Sequence, residues 1–203
     1  RGLAGGLIRE IIKDYKDQCD GIYLFANLSA LDFYKDLGFW ESIQYRRSVK
    51  KDTLSMKREP DFVGIADKKE KRQQYLAMVQ DGVCSSAFEQ TNKFGLQMFY
   101  TGDFQNVYYS ESLDCFAAYE HDDHTLYLNS IIADQYISAA DILAKIPLRY
   151  DRTVVGFTPR KTDSQLFESE EFDGGNDYRL FCMGDTLKEI EEKRLYFPEY
   201  SHA

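Results

Sequence analysis

Leu3, Leu7, Ile8, Ile11, Ile12 and Tyr15 recur at helical spacing, which predicts an amphipathic helix over about residues 3–17. Cys19-Asp20-Gly21 ends it. Residues 22–26 form a short apolar run between turn residues, the pattern of a buried strand. Asn27 can cap a second helix, on which Ala30, Phe33, Tyr34 and Leu37 share one face at i, i+3, i+4 and i+7. Gly38 stands where a left-handed C-terminal cap belongs. Residues 39–49 then read as one strand with a basic far end. Residues 50–60 are charged and weakly patterned, as in a linker.

Further on, Asp67-x-x-Glu70 predicts a capping box and a helix to about Gln80, with a shorter helix over 86–92. Residues 106–110, 113–120 and 125–132 read as an antiparallel meander. Ser138 and Asp141 form a second capping box, with Ile137 and Ile142 as its hydrophobic staple, on a helix that stops at Pro147. A strand at 153–157, a weak helix at 164–171, a strand at 178–183 and a charged helix at 186–193 complete the pattern. The order helix, strand, helix, strand occurs twice, at 3–49 and at 138–183. The class expected is α/β, an α+β arrangement on a mixed sheet.

The chain has 203 residues, 43% hydrophobic and 15% aromatic, enough for a packed core and for one large domain or two small ones. With 25 Lys+Arg against 34 Asp+Glu the net charge is −9, which argues against a nucleic-acid binder, because such binding neutralises phosphates with Lys and Arg. No apolar run approaches the ~18 residues of a membrane span, and no signal peptide is evident, so no membrane partner is expected. The four cysteines, Cys19, Cys84, Cys115 and Cys182, show no C-x-x-C spacing. They suit a reducing cytoplasm in which thiols act as small buried hydrophobes. The chain begins at Arg1 rather than Met, which raises the expectation of a longer parent polypeptide.

The lead-in Arg1-Gly2-Leu3-Ala4-Gly5-Gly6 bears on chemistry. A helix N-terminus presents free N–H groups and a partial positive charge, and small residues let an anion approach the backbone. Taken alone, glycines before a helix more often make a tight turn. The Gly-Lys-Ser/Thr ending of a P-loop is absent.

The segment Asn27-Leu28-Ser29-Ala30-Leu31-Asp32-Phe33-Tyr34-Lys35-Asp36-Leu37-Gly38-Phe39 resembles the second signature of the GNAT N-acetyltransferase superfamily. That signature reads Asn, two residues, Ala, two residues, an apolar or aromatic residue, Tyr, three residues, Gly-Phe. Residues 1–6 are similar to the family's other signature, Arg/Gln-x-x-Gly/Ala-x-Gly/Ala. The two stand in the family's order, one helix and one strand apart, and the resemblance covers residues 1 to about 50.

The resemblance implies a GNAT-like acyl-CoA N-acyltransferase fold and acetyl transfer from acetyl-CoA to a primary amine, without a metal. It implies that coenzyme A pyrophosphate is held by Leu3, Ala4, Gly5, Gly6 and Leu7, with Arg1 nearby. Asn27 would meet the pantetheine or the incoming amine, and Tyr34 would protonate the leaving thiolate. For Tyr34 the alternative is a core aromatic on the packed face of its helix.

The family's usual strands and helices ahead of the first signature have no counterpart here. The expected organisation is therefore a C-terminal half-domain at 1–52, a linker at 53–60, and a degenerate GNAT-like second module at 61–203. A further option, that residues 61–132 supply the missing strands, requires an unusual chain order. In the second module, Ile137-Ser138-Ala139-Ala140-Asp141 stands where the first has glycines, and Asp141 would repel a phosphate. The partner expected is a small-molecule or peptide amine. The competing reading is a binding or scaffold protein on a dead acyltransferase fold, for which a homodimer burying an exposed strand edge is the natural assembly.

Other residues carry weaker signals. His121-Asp122-Asp123-His124 reads as a polar hairpin turn, with a metal site as the alternative. Phe94, Phe99, Tyr100, Phe104, Tyr108 and Tyr109 read as core, residues 189–194 as a solvated helix face, and His202 as part of a disordered terminus.

Overall fold

The computed structural model describes residues 2–50 and 59–202. In chain order the elements are α1 (Leu3–Tyr15), β1 (Ile22–Asn27), a 3-10 turn (Leu28–Ala30), α2 (Leu31–Lys35), β2 (Trp40–Ser42), β3 (Gln44–Lys50), β4 (Val63–Gly64) and α3 (Lys69–Asp81). They continue with β5 (Val83–Cys84), β6 (Ser86–Phe88), α4 (Phe94–Thr101), β7 (Val107–Ser110), β8 (Cys115–His121), β9 (Thr125–Ala133) and α5 (Ala139–Lys145). Last come β10 (Arg152–Val155), β11 (Thr158–Pro159), α6 (Lys161–Ser164), β12 (Glu168–Phe172), β13 (Tyr178–Met183) and α7 (Glu189–Glu192). The expected mixed α/β class holds.

Two compact units divide the chain: residues 1–45 with 171–195, and residues 46–170 with 196–203. The linker expected at 53–60 falls, for residues 53–58, outside the described residues.

The first unit is built on an antiparallel three-stranded sheet in the order β1-β13-β2. Ile22 pairs with Met183 and Asn27 with Tyr178 along one side of β13, and Leu180 pairs with Ser42 on the other. Ala26, Phe39 and Phe181 form the buried centre, against which Ile8, Ile12, Leu24, Leu31, Tyr34 and Leu37 pack. Of the expected stripe of α1, Ile8 and Ile12 turn inward, whereas Leu3, Leu7, Ile11 and Tyr15 are exposed.

The larger sheet runs β12-β3-β10-β9-β8-β7-β4, with β5 also pairing β9. β7, β8 and β9 form the expected antiparallel meander. β9 and β10 are parallel and joined through α5, the crossover that parallel neighbours require. One core cluster gathers Leu126, Leu128, Ile142, Leu143, Ile146 and Val155, and a second gathers Ile65, Tyr75, Val79, Val107 and Phe116. Residues 63–133 supply strands to this larger sheet.

The two segments run α1-β1-α2-β2-β3 and α5-β10-β11-α6-β12-β13, alike in order except for the two-residue β11. In each repeat the last strand leaves its own neighbours. β13 inserts between β1 and β2, and β3 inserts between β10 and β12.

Several expectations are corrected. Residues 39–49 are two strands in different sheets, broken at Ile43. There the Ile43 N–H and the Ser42 hydroxyl donate to the Glu191 carboxylate, at 3.1 and 2.9 Å, in place of a ladder partner. Asp67 caps nothing: α3 begins at Lys69, and Lys68 at its N-cap makes no side-chain cap bond. Residues 86–88 are a strand paired with β11, and the helix follows at 94–101. Within 164–171, helical geometry ends at Ser164 and β12 begins at Glu168. Glu170 there accepts from Arg152 at 2.8 Å and from Arg46, charge pairing that a local pattern does not reveal. Phe94 and Phe99 are exposed rather than core, and the His202 side chain is largely covered beside Tyr196 and Glu199 rather than loose. Cys19 is exposed, whereas Cys115 and Cys182 are buried, and burial pushes both of those thiols up to about 12.

Candidate functional site

The first unit brings Leu3, Ala4, Gly5, Gly6 and Leu7 together as the opening turns of α1. Gly2 is the N-cap at φ +118°, a left-handed conformation that suits glycine. Gly6 N–H donates to Gly2 O at 3.0 Å, so helical bonding starts there and the N–H groups ahead of it lack intrahelical partners. No acidic residue lies in that first turn. A side chain at Gly6 would meet nothing within 4 Å, so this backbone is open to an approaching group. Gly5 is buried, and a Cβ there would lie 3.5 Å from the ring of Phe33. Gly5 thus faces α2 at ordinary contact distance. Arg1 lies outside the described residues.

Asn27 ends β1 and caps the turn after it. Its Oδ1 accepts from the Ser29 N–H at 3.0 Å and from the Ser29 hydroxyl at 2.8 Å. The capping expected of Asn27 is thus met, and its oxygen is committed to structure. Tyr34 lies on α2 with its ring against Phe33, Phe39 and Phe181 at centroid distances of 5.1, 6.1 and 6.0 Å. The ring belongs to the apolar cluster, as the core alternative required, and it is partly buried. Gly38 takes φ +91° after α2, as expected. At the Asn27 end of the sheet, Arg179 holds the 173–177 loop, donating to Gly175 O at 2.7 Å and pairing with Asp173 at 3.2 Å and Glu41 at 3.5 Å.

The corresponding helix start in the second unit is closed. Ser138 caps α5 through the Asp141 N–H at 3.1 Å, as its capping box predicts, and Asp141 is exposed. The blocking group is another residue. The buried carboxylate of Asp163 accepts from the Ala139 N–H at 2.8 Å and from the Tyr136 hydroxyl at 2.8 Å. A built-in anion therefore occupies the first-turn amide of α5. Asp141 lies within the capping motif, whereas Asp163 is 24 residues from Ala139 and carries no local signal.

β9 gives up β10 after Leu128 and is joined by β5 at Ile132 and Ala133. The gap between is filled from within the unit. Glu199 N–H donates to Gly156 O at 2.7 Å, and Pro198 and Tyr200 line the small cavity left beside Ser85, Gln97, Asn129 and Ser130. Gln97 donates to the Tyr75 hydroxyl at 2.8 Å, and burial raises the Tyr75 phenol above its ordinary range. His121-Asp122-Asp123-His124 forms the turn between β8 and β9, with Asp122 accepting from the His124 and Thr125 N–H groups. His124 pairs with Asp151 at 3.0 Å.

No family model matches the chain, and no curated protein matches it. Among solved structures it is similar to a GCN5-related N-acetyltransferase from Kribbella flavida, at 18% identity and a TM-score of 0.49 over 90% of this chain and 47% of that one. It is also similar to a conserved protein of unknown function from Enterococcus faecalis V583, at 14% identity and a TM-score of 0.46 over 95% of this chain and 53% of the other. A third, a GCN5-related N-acetyltransferase from Sphaerobacter thermophilus, aligns at 12% identity and a TM-score of 0.40 over 90% of this chain and 68% of its own. The chain spans about half the length of the first two.

Proposed function

We propose that the first unit carries the coenzyme A half of an acetyl-CoA-dependent N-acetyltransferase of the GNAT type, acting on a small-molecule or peptide amine. The observation that carries this reading is the opening of α1. Its first-turn amides are unpartnered within the helix, no acidic residue lies in that turn, and Gly6 leaves them accessible. An anion gains both hydrogen bonds and the helix's partial positive charge there. In the second unit the equivalent amide is taken by Asp163, so the two repeats divide into an open copy and a closed one.

The chemistry proposed is direct transfer. The amine nitrogen attacks the thioester carbonyl, the C–S bond breaks, and the thiolate takes the phenolic proton of Tyr34 while the amine's proton leaves to solvent or a base. Leu3, Ala4 and Gly5 bind the pyrophosphate through their free amides, Gly6 and Leu7 line its approach with Arg1 beside them, and the Asn27 amide nitrogen orients pantetheine or amine. No metal is invoked. No described helix is long and apolar enough to cross a membrane; a cytoplasmic setting is part of the proposal.

The second reading, a non-catalytic binding or scaffold protein that forms a homodimer, is favoured by one observation. Among the described residues β1 is an edge strand, hydrogen-bonded to β13 alone.

Thermal unfolding with and without acetyl-CoA separates the readings. At about a hundred times its dissociation constant a ligand adds roughly 2.7 kcal/mol of stability. We expect an upward Tm shift that Gly6→Glu abolishes and Asp141→Asn leaves intact. A missing shift at millimolar ligand would sink the cofactor site and leave the scaffold reading. Where turnover is measurable, Tyr34→Phe should lower kcat and spare coenzyme A affinity; unchanged kcat removes Tyr34 from the acid role.

A further inference from the structure

The second unit carries an open groove of about 540 Å³ between the C-terminal end of α3 and the segment that leads into α4. Four uncharged polar residues, Gln80, Gln90, Thr91 and Asn92, line it. Among the described residues none of these four side chains has a hydrogen-bond partner. Phe94 lines the same groove at 40% exposure, and its ring has no aromatic partner among the described residues. The charged residues of the wall, Lys93 and Glu89, pair with each other at 3.6 Å, with side chains only 12% and 22% exposed. Glu89 also lies 3.5 Å from the Ser86 hydroxyl, so its carboxylate is engaged on two sides. Glu89 and Gln90 further border the small cavity closed by Pro198 and Tyr200. There the Ser85 hydroxyl, in a residue 4% exposed, has no hydrogen-bond partner.

We infer that this groove binds a neutral sugar, one pyranose unit stacked on Phe94 with its hydroxyls on the amides of Gln80, Gln90 and Asn92. A primary amide offers both a donor and an acceptor, the combination that a hydroxyl, itself donor and acceptor, satisfies. The C–H face of the sugar covers apolar ring surface otherwise left in water. A charged ligand finds no counter-charge here, because Lys93 and Glu89 already neutralise each other, and stripping an unpaired charge of water is costly. A neutral ligand meets no such cost, and the engaged carboxylate does not repel it. The volume holds a pyranose ring with accompanying water. A buried hydroxyl without a partner, as at Ser85, marks a place for an ordered water, and Gln90 borders both spaces. A free sugar and the end unit of a glycan share this chemistry. The site is separate from the opening of α1 and does not depend on the acetyltransferase reading.

The probes are the methyl glycosides of glucose, galactose, mannose and N-acetylglucosamine, titrated into the full chain by NMR at low and high salt. Glycerol and glucuronate are the counter-probes. At least one methyl glycoside should bind saturably at millimolar concentration, with an affinity that salt leaves unchanged, since no charge is paired. Phe94→Ala should weaken that binding about tenfold and Phe94→Tyr should retain it. Gln90→Ala combined with Asn92→Ala should weaken it severalfold, and an unchanged Tm in each variant shows that the fold is intact. Gly6→Glu should leave the binding as it is. With a glucoside or galactoside bound, tighter binding of cellobiose or lactose assigns a glycan end, and equal or weaker binding a free sugar. The inference is overturned if none of the four methyl glycosides binds, or if glycerol or glucuronate binds as tightly as the best of them. It is equally overturned if the Phe94→Ala and Gln90/Asn92 variants bind like the parent, or if Gly6→Glu removes the binding.

Discussion

Asp163 shows how one distant side chain can close a helix start. Its carboxylate satisfies the first-turn N–H of Ala139 and the Tyr136 hydroxyl in a buried setting. Asp163→Ala leaves both donors without that acceptor, at a cost of about 1–3 kcal/mol in denaturant unfolding. A change within error would show that water replaces the carboxylate at no cost. Asp61 is a second such acceptor, taking hydrogen bonds from the Ser110 hydroxyl and from the hydroxyl and N–H of Ser112. Those bonds, Ser110's first, hold its carboxyl below the usual carboxylate range. Because the folded value lies below the unfolded one, about 3.9, the stabilisation is complete above that pH and is lost as pH falls through the folded value. The stability gap between the parent and Asp61→Asn should therefore narrow between neutral pH and about pH 2–3. An equal gap at both ends would mean that Asp61 acts through shape alone.

At the scale of elements, periodic segments with their own caps were legible and short strands were not. α1 shows its stripe from Leu3 to Tyr15, and α5 shows Ser138 as its cap, because these signals lie within one helix. β6 is three residues long and is defined by pairing with β11, some seventy residues on, so nothing local marks Ser86–Phe88 as extended. β12 has the composition Glu-Ser-Glu-Glu-Phe, helical by propensity, and becomes a strand beside β3, where Arg46 and Arg152 meet Glu170. The central strand of the small sheet carries the heaviest packing. Phe181 on β13 is fully buried, at 0% exposure, against Tyr34 and the cluster around Phe39. Phe181→Ala should cost about 3–5 kcal/mol in chemical denaturation. A loss below 1 kcal/mol would show that this cluster collapses around the vacancy and has little to do with holding Tyr34.

For the whole molecule, the decisive feature is where the repeats send their last strands. β1 and β2 do not pair with each other; both pair with β13, more than 130 residues beyond β2. A polypeptide of residues 1–52 alone therefore lacks the middle strand of its sheet. It should show no cooperative unfolding transition by circular dichroism, whereas the full chain should; a cooperative transition in the short piece would mean that β1 and β2 find another pairing. The sequence by itself determined the mixed α/β class, the two helix starts at Gly2–Gly6 and Ser138, and the meander; it did not separate β2 from β3 or show β11 and β12 as strands. What it determined follows from spacing and capping, which act over a few residues. Tertiary structure alone decided the exchange of β3 and β13 and the carboxylate of Asp163 on the second helix start. Each joins residues far apart in sequence through hydrogen bonds, and local periodicity holds no record of such partners.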